Sequence, residues 1–230
     1  MPEPLVSICF DDGRATAVRD GARILESHKL RGTFYPITTR VGTQNDDGEY
    51  ATWEELRGLE HRGHEIGNHT YTHTREWIRW SRGRQLNEIS AATGTANYKG
   101  GLYSPRTFAY PFGLYDKRLR DLVAEQMGWR GMEFLAARTV EDGINLPTTD
   151  PFLLKCFSVR KEHTTSDVME RMETAVREGG WLILTFHHLD NKTHLSTPPQ
   201  LFEEMLLEIL KTKVEIVKLE EGAKKFLKTA

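Results

Sequence analysis

Cysteine is scarce in this sequence, which has only Cys9 and Cys156 among its 230 residues. Both lie within apolar stretches typical of strands, which predicts reduced core residues rather than a disulfide or a metal-binding pair. Long apolar runs are also missing, because the longest, residues 181–186, has only the length of a strand. Since a membrane-spanning helix needs about 20 apolar residues, the sequence predicts no membrane span.

An excess of charge of one sign is lacking as well, since 31 basic and 33 acidic residues leave a formal net charge of −2. This balance gives no electrostatic reason to expect a nucleic acid or an anionic membrane as a partner. No repeat, linker or low-complexity tract interrupts the chain, so we expect one domain over residues 1–230. The first residues lack the basic and apolar segments of a secretory signal, which predicts a cytoplasmic location unless a signal was removed. The sequence predicts no oligomeric state.

What the sequence does contain is a regular alternation of short apolar runs and amphipathic segments. Patterns typical of strands occupy residues 5–10, 32–37, 65–66, 106–110, 132–137, 153–159, 181–186 and 214–218. Patterns typical of helices occupy residues 16–29, 52–62, 81–93, 117–127, 166–178, 199–211 and 220–227. This alternation predicts an α/β fold with a parallel sheet and helices on its outer face. Seven or eight such units would close, or nearly close, into a barrel with its site at the carboxyl ends of the strands.

The first motif with chemical potential is Asp11-Asp12-Gly13, at the end of the first predicted strand. Adjacent residues of a regular strand point to opposite faces, and two carboxylates in one dry site would repel each other. Gly13 lets the chain leave the strand, so we expect both carboxylates to turn toward one cavity. Taken alone, an Asp-Gly pair is equally typical of a solvated turn.

The second motif is a pair of histidines, His69 and His73, just after the short strand at residues 65–66. Histidines four residues apart lie on the same face of a helical turn, where both can reach one divalent ion. Histidine with carboxylate is a common ligand set for catalytic zinc. Because the Asp-Asp pair lies at another strand end, the combination favours a metal site over two unrelated polar loops.

Two more motifs follow predicted strands. Residues 110–113 read Tyr-Pro-Phe-Gly, a tight turn that can aim a backbone N–H at a developing oxyanion. Late in the chain, the strand at residues 181–186 runs into His187 and His188. Strand alternation places Thr185 and His187 on one face, which favours His187 over the alternative, His188, as the imidazole that enters the site.

These motifs resemble the polysaccharide deacetylases, also called the NodB-homology family or carbohydrate esterase family four. Residues 9–13, Cys-Phe-Asp-Asp-Gly, are similar to the family's Thr-Phe-Asp-Asp-Gly, and residues 69–73, His-Thr-Tyr-Thr-His, match its His-Ser/Thr-x-x-His. The lead-in at residues 63–68, Gly-His-Glu-Ile-Gly-Asn, is also similar. The resemblance covers residues 5–189, with the motifs in the family's order, and it implies a distorted (β/α)7-type barrel.

Carried over by position, the resemblance implies roles for individual side chains. Asp11 would be the general base and His187 the general acid, and the metal ligands would be Asp12, His69 and His73. The third motif departs from the family, because Ala109 stands where the family usually has an arginine that orients the catalytic aspartate. Our hypothesis is that Arg138 supplies the missing guanidinium, while the backbone N–H of Phe112 remains the candidate oxyanion donor.

The implied activity is a metal-dependent hydrolysis that removes N-acetyl or O-acetyl groups from a carbohydrate. The implied cofactor is a divalent ion, most simply Zn²⁺, with Co²⁺ or Ni²⁺ as alternatives. A second reading is a hydrolase of a small cyclic amide, imide or allantoin-like C–N bond, since relatives on this fold have such activities. A third reading is a non-catalytic sugar-binding relative, although all five expected catalytic and ligand positions are filled.

Overall fold

The computed structural model describes residues 2–125 and 133–227. Its strands are β1 (Leu5–Asp12), β2 (Thr33–Pro36), β3 (Gln44–Asn45), β4 (Gly48–Glu49), β5 (Glu65–Ile66), β6 (Thr107–Ala109), β7 (Ala136–Arg138), β8 (Phe157–Ser158), β9 (Trp181–Phe186) and β10 (Glu215–Ile216). Its α-helices are α1 (Ala22–Ser27), α2 (Trp53–His61), α3 (Arg82–Thr95), α4 (Lys117–Ala124), α5 (Thr165–Glu178), α6 (Pro199–Lys211) and α7 (Leu219–Phe226). Short π-helical segments adjoin two of them, Ala17–Gly21 before α1 and Ala96–Gly100 after α3.

The parallel strands form a larger sheet and a separate pair. Hydrogen-bonded strands run in the order β5–β2–β1–β9–β8, and β6 pairs with β7. Isolated parallel bridges connect the pair β6–β7 to the segments beside the larger sheet: Asn68, just after β5, bridges to Phe108, and Leu154, just before β8, bridges to Arg138. β10 pairs with the first residues of β1. The parallel strands and the helices that accompany them confirm the predicted α/β fold, and the order β5–β2–β1–β9–β8 with the pair β6–β7 is compatible with the distorted (β/α)7-type barrel.

Strands β1 and β9 alternate between two cores, as the two-residue period of a strand requires. Their outward side chains pack against the apolar faces of the helices, and these are Val6, Ile8, Phe10, Leu182, Leu184 and Phe186. Their inward side chains meet residues of β2, β6 and β7, and these are Leu5, Cys9, Trp181 and Ile183. The same alternation directs Asp11 and His187 inward. Both cysteines are free and buried, as predicted.

Several boundaries differ from the sequence prediction. The helix predicted at residues 16–29 is a π-helical segment followed by α1, and the strand predicted at residues 153–159 pairs regularly only at Phe157–Ser158. The hairpin β3–β4 was missed, because its two short strands, Gln44–Asn45 and Gly48–Glu49, contain no apolar side chain. The predictions at residues 117–127 and 132–137 extend partly outside the described residues. Within the described ranges, no helix is long and apolar enough to cross a membrane.

Candidate active site

The two aspartates of the first motif lie at the carboxyl end of β1. Asp11 points into the barrel and is only 2% exposed. The chain turns at Asp12 itself, whose φ of 66° is left-handed, and continues through Gly13 with a φ of 72°. A Cβ on Gly13 would lie 2.9 Å from the Cα of Pro36, so only glycine fits there without movement. The turn therefore begins one residue earlier than we expected, and it directs Asp12 toward the histidines.

His69 and His73 meet Asp12 at this end of the barrel. The Nε2 atoms of His69 and His73 lie 3.6 Å and 3.8 Å from Asp12 Oδ1. One potential ligand atom from each of the three residues lies within 4.8 Å of the others. Two ligand atoms that are each about 2 Å from one ion are separated by roughly 3–4 Å, so the spacing suits a single cation.

The prediction of a helical turn between the two histidines is wrong. Residues 69–73 form a loop in which Thr70 and His73 have φ values of 66° and 52°. Side chains replace the helical hydrogen bonds here, since Thr70 N–H donates to Asn68 Oδ1 and His73 N–H donates to Thr70 Oγ1. The pair nevertheless converges, because the loop bends both imidazoles toward Asp12.

The hydrogen bond of His69 and the lowered pKa of His73 suit metal binding. His69 Nδ1 lies 2.8 Å from the carbonyl oxygen of Ala109, which can only accept a hydrogen bond. The proton of a neutral His69 therefore belongs on Nδ1, which leaves the Nε2 lone pair facing Asp12. Burial lowers the pKa of His73 to about 3, and the neighbouring His69 acts in the same direction. A carboxylate with two neutral imidazoles is a donor set that fits Zn²⁺ or a similar divalent ion.

Arg138 reaches Asp11 from across the barrel. Its Nη2 forms an ion pair with Asp11 Oδ1, and the Arg138 side chain is fully buried. Burial would lower the pKa of Arg138, but the Asp11 carboxylate raises it. Arg138 is also the register partner of Ala109 in the parallel pair β6–β7, so both side chains point into the barrel. The guanidinium that is absent at Ala109 is thus present one strand away.

His187 approaches the other oxygen of Asp11. Its Nε2 lies 4.0 Å from Asp11 Oδ2, while its Nδ1 is buried and has no hydrogen-bond partner in the part of the chain that the structure describes. Burial lowers the pKa of His187, and the two aspartates oppose this shift. His188 points elsewhere, with its Nδ1 3.8 Å from Asp190 Oδ2. Strand alternation therefore selects the histidine that the sequence analysis favoured.

The Tyr-Pro-Phe-Gly turn borders the histidines. Phe112 adopts a left-handed conformation with a φ of 55°, and its ring centroid lies 4.3 Å from that of His73. The guanidinium of Arg75 lies 4.0 Å from the same phenyl ring. The turn is closed by Gly113 N–H, which donates to the Tyr110 carbonyl. Its position beside the candidate ligands is established, whereas the role of the Phe112 N–H as an oxyanion donor stays a prediction.

Sequence reasoning missed several contributors to the site. The carbonyl of Ala109 orients His69, but a backbone group leaves no mark in the residue pattern. Asn68 belongs to the lead-in that resembles the family, yet its contacts with the loop depend on the fold. Glu88 binds Thr72 from α3, and nothing in its local sequence distinguishes it from a surface helix residue.

The chain is similar to known proteins in sequence and in fold. A family model described as polysaccharide deacetylase matches residues 1–132. The uncharacterized protein YlxY of Bacillus subtilis (strain 168) is 24% identical over 184 residues, which cover 75% of this chain and 52% of that protein. The chain thus spans about half the length of this curated relative.

Two solved structures have a similar fold. A putative polysaccharide deacetylase from Mycobacterium smegmatis gives a TM-score of 0.70 at 17% identity, covering 100% of this chain and 98% of that one. BA3943, a CE4 family pseudoenzyme from Bacillus anthracis, gives a TM-score of 0.64 at 12% identity, covering 98% of this chain and 67% of that one. Because both active enzymes and pseudoenzymes can share one fold, the function depends on the residues of the site.

Proposed function

The chain belongs to the polysaccharide deacetylase family, and from this premise we propose that it is a metal-dependent hydrolase that removes acetyl groups from a carbohydrate. The observation that carries the proposal is that two sets of side chains converge at one end of the barrel. Asp12, His69 and His73 form a metal-ligand cluster, and Asp11 lies beside it between Arg138 and His187.

The ligand cluster would hold a divalent ion, and we propose Zn²⁺ as the simplest choice, with Co²⁺ or Ni²⁺ as alternatives. When bound, such an ion supplies Lewis-acid polarisation of the acyl carbonyl group. Asp12 contributes the negative charge. Burial would raise its pKa, but contact with His69 and the nearby imidazoles lowers the pKa well below its usual range. The lowered pKa keeps this carboxylate ionised at neutral pH, which is the state that binding of a cation requires.

Asp11 is the proposed general base. It would take a proton from the attacking water as that water adds to the acyl carbon. The Arg138 guanidinium fixes one carboxylate oxygen, so the other oxygen, on the His187 side, is the one available for the proton. Both side chains of this ion pair are almost completely buried, which strengthens the pair relative to one on the surface.

His187 is the proposed general acid. It would donate a proton to the nitrogen or oxygen of the sugar as the bond to the acetyl carbon breaks, which gives acetate and a free amine or hydroxyl group. The proton that Asp11 accepts and the proton that His187 donates balance over the reaction. Because one group must be ionised and the other protonated, we expect a bell-shaped dependence of kcat/KM on pH.

The deciding experiment measures acetate release from a panel of N-acetylated and O-acetylated sugars, in chelator-treated protein with and without added Zn²⁺ or Co²⁺. We expect metal-dependent release that disappears in Asp11→Asn and in His69→Ala. Cyclic imides serve as controls for the alternative activity on this fold. Release that is insensitive to both the chelator and His69→Ala would refute the metal role. Hydrolysis of imides alone, or of no substrate at all, would refute the deacetylase proposal.

A further inference from the structure

The loop that carries both histidine ligands, residues 69–73, has an unfavourable backbone conformation. Thr70 and His73 adopt φ values of 66° and 52°, in the left-handed region that residues with a Cβ seldom occupy. Thr70 is also β-branched, which makes this conformation still less favourable. We call residues 69–73 the ligand loop. Since the loop would relax if free, contacts from the rest of the protein must hold it in place.

One set of contacts comes through Asn68. Its Oδ1 accepts the Thr70 N–H at 2.8 Å, which satisfies the backbone at the strained residue. Its Nδ2 donates to the Ile89 carbonyl and to Thr93 Oγ1, both on α3 and both at 3.0 Å. Helix α3 therefore fixes the first turn of the ligand loop.

A second contact comes from Glu88, which is also on α3. Its Oε1 accepts hydrogen bonds from the Thr72 N–H and from Thr72 Oγ1, the latter at 2.6 Å. Thr72 directly precedes His73 and lies between the two strained residues. Glu88 is only 7% exposed, and no Lys, Arg or His nitrogen among the described residues forms an ion pair with it. The hydrogen bonds of this buried carboxylate are thus made with the ligand loop.

We propose that Glu88 is a positioning residue that sets the metal affinity of the site. It is outside the cluster of Asp12, His69 and His73, and its side chain accepts its hydrogen bonds from Thr72, so it acts through Thr72. By holding Thr72, it keeps His73 in the left-handed conformation that directs its imidazole to Asp12. The inference rests on the proposed function only in assuming that the cluster binds a divalent ion.

The test measures the Kd of Zn²⁺ for the chelator-treated protein by competition with a chromogenic chelator. Glu88→Ala should weaken Zn²⁺ binding by about 10–100-fold, as loss of a group that orients a ligand typically does. Glu88→Gln retains an oxygen that can accept from Thr72 and should recover most of the affinity. Asn87→Ala changes the exposed neighbour on the same helix and should bind Zn²⁺ like the parent protein.

A second readout separates positioning from general stability. The visible absorption of bound Co²⁺ reports ligand geometry, so Glu88→Ala should change the spectrum while Asn87→Ala should not. If Glu88→Ala does not fold, Thr72→Val decides, because it removes one hydrogen bond to Glu88 and should weaken Zn²⁺ binding in the same direction. A Kd and a spectrum like those of the parent protein in Glu88→Ala would overturn the inference. If Thr72→Val is used instead, the same result in that variant would overturn it. Failure of the parent protein to bind Zn²⁺ or Co²⁺ would instead overturn the metal proposal and the inference with it.

Discussion

Replacing Arg138 with methionine should destabilise the protein by about 3–5 kcal/mol, because it leaves the buried Asp11 carboxylate without its counter-ion. Both side chains are almost completely inaccessible, so bulk solvent would compensate little for the lost guanidinium. Methionine keeps the unbranched, apolar stem of arginine but lacks the guanidinium, which lies 4.8 Å from the centroid of the Tyr35 ring. The loss of packing at that ring therefore adds to the loss of charge pairing.

The size of the effect makes it easy to measure. For a chain of 230 residues, each 1 kcal/mol changes Tm by about 2–4 °C, so Arg138→Met should lower Tm by roughly 6–20 °C. The double variant Asp11→Asn/Arg138→Met removes both charges and should be considerably more stable than the sum of the single changes implies. Arg138→Met should also reduce kcat/KM by on the order of 100-fold, because the base would no longer be held in position.

The assay is urea unfolding, monitored by tryptophan fluorescence, of the parent protein, both single variants and the double variant. Arg82→Met is the matched control, because Arg82 pairs with Glu125 at the surface, where both side chains are about half exposed. That change should alter stability by less than about 1 kcal/mol. A cost of less than 1 kcal/mol for Arg138→Met, or additive single changes, would refute the reasoning. Full activity in Arg138→Ala alongside an inactive Asp11→Asn would refute the orienting role.

Two other predictions concern stability. The metal-free protein should lose stability as the pH falls from about 6.5 to about 3, because buried His73 has a folded-state pKa of about 3 whereas an unfolded imidazole binds its proton near pH 6.5. The unfolded state thus binds more protons than the folded state in this pH range. As the pH falls, the Tm of His73→Gln should therefore decrease less steeply than the Tm of the parent protein. Parallel curves of Tm against pH for the two proteins would show that His73 is not the cause. Gly113→Ala should destabilise the protein by about 1–3 kcal/mol, since the residue has a φ of 69° and a new Cβ would lie 2.3 Å from Val140 Cγ2. Gly94 lies in α3, and a Cβ added there would have no tertiary neighbour within 4 Å, so Gly94→Ala should instead stabilise the protein by about 0.5–1 kcal/mol. A change in stability of the same sign at both glycines would contradict the argument.

Local sequence patterns predicted the strands and helices whose bounds are marked by their own residues. The strand at residues 181–186 and the helix at residues 199–211 have the predicted bounds, because each combines an unbroken pattern with a clear terminus. A capping box of Thr52 and Glu55 begins α2, which lies within the helix predicted at residues 52–62. The hairpin β3–β4 and the split of the first helix were not visible, because short pairings and π-helical turns depend on contacts with distant residues.

At the candidate site, the sequence by itself determined which side chains reach the rim of the barrel. Strand alternation directs Asp11 and His187 inward, and the motif order places the aspartates and histidines at strand ends. Only the tertiary structure decided how these groups meet. The register of β6 against β7 brings Arg138 level with Ala109, and the contacts from α3 hold the ligand loop in a conformation that no local preference favours. Alternation is a property of each strand alone, whereas register and loop strain are set by hydrogen bonds between residues far apart in the chain.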